Sequence, residues 1–142
     1  MGQPFPETLA RGARLSGSEY GWLIESFPQA VRTASELSFA CLGGQFQFRT
    51  DRSTCEMYWL NADSSERRGD ESWAAYVSRS CCEVADAFDR LVKSSDFIAE
   101  AAKWPALAEE LGPDADPVEN LVFVAYFVSE LEAAGLKKQI GV

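Results

Sequence analysis

The chain has 142 residues, 46% hydrophobic and 12% aromatic, with a formal net charge of -9. That is one domain's worth of sequence with enough apolar content for a core. The acidic balance repels nucleic-acid phosphates and favours a basic partner. The lack of any histidine removes Ser-His-Asp and Cys-His catalysis and His-ligated metal.

Residues 1–17 hold Gly2, Pro4, Pro6, Gly12 and Gly17 and read as a flexible N-terminal arm, with residues 18–142 as one domain. The start lacks the apolar stretch of a secretory signal. Pro6 stands where a myristoylation signal wants Ser or Thr. No apolar run approaches a membrane span. The reading is a cytoplasmic protein with no membrane attachment.

A two-part helix is expected over about 19–37, broken near Ser26. Ser26 and Gln29 have capping-box spacing, Pro28 suits the first turn, and Val31, Ala34 and Leu37 form a stripe.

Residues 42–61 read as an antiparallel hairpin. Phe46 and Phe48 share one face of the first strand with Gln45, Gln47 and Arg49 opposite. In the second strand Cys55, Met57 and Trp59 share a face, with Glu56 and Tyr58 opposite. Matching the apolar faces requires paired residue numbers with an odd sum, such as Arg49 with Thr54 or Arg49 with Glu56. "TDRS" then closes the loop. Phe46, Phe48, Met57 and Trp59 are expected to hold the hairpin to covering helices. Gly43-Gly44 reads as a bulge or close backbone approach.

After a loop of mixed charge, a helix over about 71–93 follows from Trp73, Val77, Cys81, Val84, Phe88 and Leu91 at steps of three and four, with Asp70 as its expected cap. A further helical stretch spans about 95–111, interrupted before Pro105 and stopped by Gly112-Pro113.

Asp116, Pro117 and Glu119 mark another helix start, and Gly135 suits its end. The run "LVFVAYFV" between them is apolar all round. It fits a buried strand or a buried helix, and the span between the two caps favours a helix over about 117–134. The fold class is therefore α+β: a helix-rich domain with a small antiparallel sheet.

Four cysteines, Cys41, Cys55, Cys81 and Cys82, lack metal-site spacing. They read as buried free thiols, with a Cys41–Cys55 cross-link as the sharper alternative. "DADPVE" lacks the glycine and length of a calcium loop. No metal, cofactor or catalytic residue is assigned, so an enzyme is not expected.

Two candidate partner-binding groups stand out. Gln45, Gln47, Arg49, Glu56 and Tyr58 offer forked donors, charges and an aromatic on one hairpin face. The plain alternative is a solvated sheet face with an Arg49–Glu56 ion pair. Glu109, Glu110, Asp114, Asp116 and Glu119 lie in a stretch without a basic residue between Lys103 and Lys137. They read as a steering patch or, plainly, as caps and solvated helix face.

At "GGQFQFR", "EMYWL" and "ESWAAY" the chain resembles small acidic bacterial immunity proteins that neutralise polymorphic toxins delivered by contact-dependent or type VI secretion. The resemblance implies a cytoplasmic, non-catalytic inhibitor that blocks a cognate toxin domain, often a nuclease with a basic cleft. A homodimeric adaptor and a carboxylate-based enzyme or small-ligand binder are the other classes kept open.

Overall fold

The period-2 pattern of the hairpin and the period-3.6 stripe after it both appear in the computed structural model, which describes residues 5–16 and 19–139. In chain order these hold α1 (Glu7–Ala10), β1 (Ala13–Ser16), β2 (Glu19–Leu23), α2 (Phe27–Glu36), β3 (Ala40–Arg49) and β4 (Thr54–Asp63). Then come α3 (Trp73–Ser94), α4 (Phe97–Ala101), α5 (Pro105–Leu111), a 3-10 turn (Pro117–Asn120), β5 (Leu121–Val128) and α6 (Glu130–Gln139). The strands form one antiparallel sheet in the order β1-β2-β5-β3-β4. The chain is thus an α+β fold.

The hairpin register follows the expected parity near its turn. Phe46 pairs with Met57, Gln47 with Glu56, Phe48 with Cys55 and Arg49 with Thr54. The "TDRS" turn closes with Thr50 N donating to the Ser53 carbonyl at 2.9 Å. Between Gln45 and Phe46 the register shifts, and Gln45 pairs with Asn61. Tyr58, Trp59 and Leu60 therefore stand in a bulge of β4. Trp59 is not the expected core anchor. It is 41% exposed and turned onto Trp104. A second shift lies between Cys41 and Gly43, where Gly43 takes φ 145°, a conformation that favours glycine.

One sheet face packs against the helices through a phenylalanine cluster. Phe27 of α2 lies 4.7 Å from Phe88 of α3 and 4.6 Å from Phe123 of β5. Phe46 stacks on Phe88 at 5.5 Å and meets Phe97 of α4 at 5.1 Å. Each such ring contributes about 1.5–3 kcal/mol by leaving water. The α3 stripe lands as expected, with Val77, Cys81, Val84 and Phe88 buried. Its cap is Ser72, which accepts from Ala75 N at 3.1 Å, rather than Asp70.

Three expected elements are corrected. Residues 117–134 are not one helix. Asp116 does cap, accepting from Val118 N at 3.0 Å, but the turn ends at Asn120 and β5 begins. Flanked by β2 and β3, β5 is buried on both faces except at Tyr126, so it can be apolar almost all round. Ser129 and Glu132 then form a reciprocal capping box at α6, at 3.2 and 2.9 Å. Gly135 lies inside α6 rather than past a helix end.

Residues 19–37 are a strand and a helix. Tyr20 and Trp22 alternate with Glu19, Gly21 and Leu23, which puts the indole in the core, where Trp22 Nε1 donates to the Leu9 carbonyl at 3.2 Å. Ser26 sits at the N-cap of α2 but makes no side-chain cap bond. The third correction is the N-terminal segment, where α1 and β1 replace part of the expected arm. Leu9 is buried and Phe5 stacks on Tyr20 at 4.3 Å.

Candidate protein-binding face

Register places a defined set of side chains on the sheet face opposite the phenylalanine cluster. Gly21 pairs with Val124 and Val124 with Gln45, while Leu23, Val122, Gln47 and Glu56 form the next row. Glu19, Tyr126 and Arg49 share this face by alternation.

Arg49 is the centre of its polar contacts. Its Nη1 donates to the carbonyls of Arg14 on β1 at 3.0 Å and of Glu19 on β2 at 3.1 Å. Its Nε donates to Gln47 Oε1 at 3.1 Å, and Nη2 lies 3.8 Å from the Glu19 carboxylate. In a flat sheet β2 would lie two strand spacings from β3, about 10 Å. An arginine side chain does not bridge that gap and also reach β1. The sheet therefore curls toward this face. Gly21 permits the approach: a Cβ there would meet Val122 Cγ2 at 2.9 Å and Arg49 Nη1 at 3.2 Å.

The expectation for Gln47 and Arg49 is corrected by their burial. Gln47 is 0% exposed and Arg49 7% exposed, so they brace the face from within rather than present themselves to a partner. The Gln47 Nε2 amide has no hydrogen-bond partner. The Arg49–Glu56 pair is replaced by Arg49–Glu19. Gln45, half-buried, reaches Glu56 at 3.5 Å.

The groups this face does show are Tyr126, 41% exposed, and the carboxylates of Glu56 and Glu19, while Tyr58, 71% exposed, stands in the β4 bulge at the sheet edge. The Tyr126 hydroxyl donates to Glu19 Oε2 at 2.5 Å. Its phenol is pushed up to about 12 by burial, by that hydrogen bond and by the charges of Glu19 and Glu56, with Arg49 opposing. Beside it, the bulge forms an aromatic ledge. Tyr58 meets Trp59 edge-on at 5.0 Å, and Trp59 stacks on Trp104 at 6.2 Å. Trp59 Nε1 donates to Glu100 at 2.8 Å, and Lys103 Nζ lies 5.3 Å from the Trp59 ring centre.

The acidic stretch divides by role. Glu110 accepts from Ser53 Oγ at 2.8 Å. Hydrogen bonds from Thr50 and Ser53 hold its carboxyl below the usual range. Asp116 is spent on its cap. Glu109, Asp114 and Glu119 are exposed. Of the two candidate groups, Arg49 and Glu110 both line one cleft of about 430 Å3 that also includes Arg14, Asp51 and Thr54.

Glu19 and Tyr126 were not anticipated. The alternation of "EYGWL" and the single hydroxyl-bearing ring in "LVFVAYFV" were the available signals, both obscured by a helical reading.

The mixed-charge loop is held by α3. Arg79 makes a two-pronged bond to Glu71 at 2.7 and 2.8 Å, pairs with Glu83 at 3.0 Å, and donates to the Glu66 carbonyl at 3.0 Å.

Cys41, Cys55 and Cys81 are buried and Cys82 is exposed, all as free thiols. The Cys41–Cys55 cross-link is ruled out. Cys55 pairs with Phe48, about 23 Å along β3 from Cys41, far beyond disulfide reach. Among the described residues no cluster of His, Cys, Asp or Glu could hold a metal ion, and no helix is long and apolar enough to cross a membrane.

Compared with known proteins, the chain matches no family model, no curated protein and no solved structure.

Proposed function

We propose that the protein is a non-catalytic, protein-binding inhibitor, in the concrete form of a cytoplasmic immunity protein that docks the exposed groups of this sheet face on a basic toxin domain. The observation that carries this reading is the grouping of exposed Tyr126 with the Glu19 and Glu56 carboxylates on a face braced by Arg49, with exposed Tyr58 in the bulge at the sheet edge. Tyrosine is enriched among residues that dominate binding energy. A surface ordered before binding loses little entropy on association. Carboxylates beside the rings complement lysine and arginine, and the net charge of -9 speeds encounter with a basic cleft. Inhibition by occlusion needs no catalytic group of its own.

The experiment is co-purification with the product of the neighbouring gene, followed by association kinetics in rising salt. A complex tighter than micromolar, with an association rate that falls as salt rises, is expected. Absence of a complex at micromolar concentrations overturns the reading.

A further inference from the structure

Where the β3–β4 turn meets α5, a cleft of about 430 Å3 opens beside the sheet. Four of its lining side chains are charged: Arg14 of β1, Arg49 of β3, Asp51 of the turn and Glu110 of α5. Leu15 and Leu111 supply apolar surface in the same lining.

The charges fall into two pairs by the elements that carry them. Arg49 Nη1 donates to the Arg14 carbonyl at 3.0 Å, which ties β3 to β1. Ser53 Oγ donates to Glu110 at 2.8 Å, which ties α5 to the turn that carries Asp51. Arg14 and Asp51 are exposed, Glu110 is half-buried, and Arg49 joins the lining while only 7% exposed. Among the described residues no ion pair joins either arginine to Asp51 or Glu110. The two signs therefore line one space without neutralising each other by contact. A ligand of one sign is drawn by one pair and repelled by the other. A ligand that carries both signs, held apart, is drawn by both.

We propose that this cleft binds a small ω-amino acid, a carboxylate joined through a methylene chain to an ammonium group. The carboxylate meets Arg14 and Arg49, and the ammonium meets Asp51 and Glu110, through charge-assisted hydrogen bonds. The methylenes lie along Leu15 and Leu111 and leave water there. The space is in the range of small-molecule sites. An α-amino acid carries its two charges too close together to serve pairs that stand apart. The site does not rest on the inhibitor reading.

The test is an NMR titration of the isotope-labelled full chain with ε-aminocaproate. Saturable shifts are expected at the amides of Arg14, Asp51, Leu111 and Asn120, with a midpoint below about 5 mM. Caproate and hexylammonium each keep one charge and should bind at least ~10-fold more weakly. Norleucine, an isomer with both charges at one end, should be weaker by a similar factor. Arg14→Gln should remove most of the advantage over hexylammonium, and Asp51→Asn most of the advantage over caproate. Both substitutions are at exposed positions, so Tm should not change. The proposal is overturned if these amides do not shift, or if caproate, hexylammonium or norleucine binds as tightly as ε-aminocaproate. Wild-type affinity in Arg14→Gln would overturn it as well. The comparison of compounds uses the wild-type chain, so it does not depend on the folding of a variant. It involves no toxin, and its failure leaves the sheet-face reading standing.

Discussion

Arg49 and Glu19 are joined twice across the sheet: the guanidinium donates to the Glu19 carbonyl at 3.1 Å and sits 3.8 Å from its carboxylate. The same Nη1 holds the Arg14 carbonyl, so one side chain ties β3 to both strands of the β1–β2 ribbon. Burial lowers the guanidinium pKa, and Glu19, Tyr126 and Glu56 oppose that.

Arg49→Ala should therefore act on stability first. It strands two carbonyls and a buried amide oxygen, at a cost of about 2–3 kcal/mol. Urea and thermal unfolding check it, with Tm expected to fall by ~10 °C. An unchanged midpoint would show that the curled sheet does not depend on this contact.

Tyr58→Ala should act on binding alone. The ring is 71% exposed, so stability should stay within about 0.5 kcal/mol, while affinity for the basic partner drops at least ~10-fold. Calorimetric titration beside a melting curve separates the two. Equal losses in both would make the ring structural, and full retained affinity would place the interface elsewhere.

The Glu71–Arg79 bond predicts a pH dependence. Arg79 is the main cause that lowers the Glu71 carboxyl from its ordinary 4.5 to about 2. A depressed carboxylate stabilises the fold above its unfolded value, and that contribution is lost as pH falls toward the folded one. The urea midpoint of the wild type should exceed that of Glu71→Gln near neutral pH, and the two should converge as pH falls from about 4.5 toward 2. A gap that stays constant across this window contradicts the linkage.

Thiol labelling in the native state should modify Cys82 alone. Burial pushes Cys81 up to about 11 and raises Cys41 and Cys55 as well. Reactivity requires an accessible thiolate. Mass spectrometry should find one rapid adduct, absent in Cys82→Ser. Rapid labelling of any buried cysteine would reveal local opening.

Much of the fold was legible because it follows from local repeat. The α3 stripe, the parity of the hairpin pairs, the "TDRS" turn and the Asp116 cap depend on neighbours within a few residues. The Ser129–Glu132 box was legible too, since "SELE" carries the capping spacing, and it would have ended the apolar run at Val128. The candidate face was partly legible. Alternation sorted Gln45, Gln47, Arg49 and Glu56 onto one side, whereas the bulge at Tyr58, Trp59 and Leu60 has no marker in the pattern and leaves Trp59 half-exposed against Trp104 instead of in the core.

By itself the sequence determined the two sides of each amphipathic element and the chemistry available: acidic, without histidine, rich in phenylalanine. Only the tertiary structure decided that 121–128 is a strand, because a run apolar on every side has no period, and its form depends on the β2 and β3 edges it bonds. Tertiary structure also decided which polar residues of the sheet face remain outside. Alternation assigns a side chain to a face. Burial depends on curvature, set by contacts between residues as distant in sequence as Arg14 and Arg49. The curl draws Gln47 and Arg49 inward and leaves Tyr126 and the carboxylates of Glu19 and Glu56 at the surface.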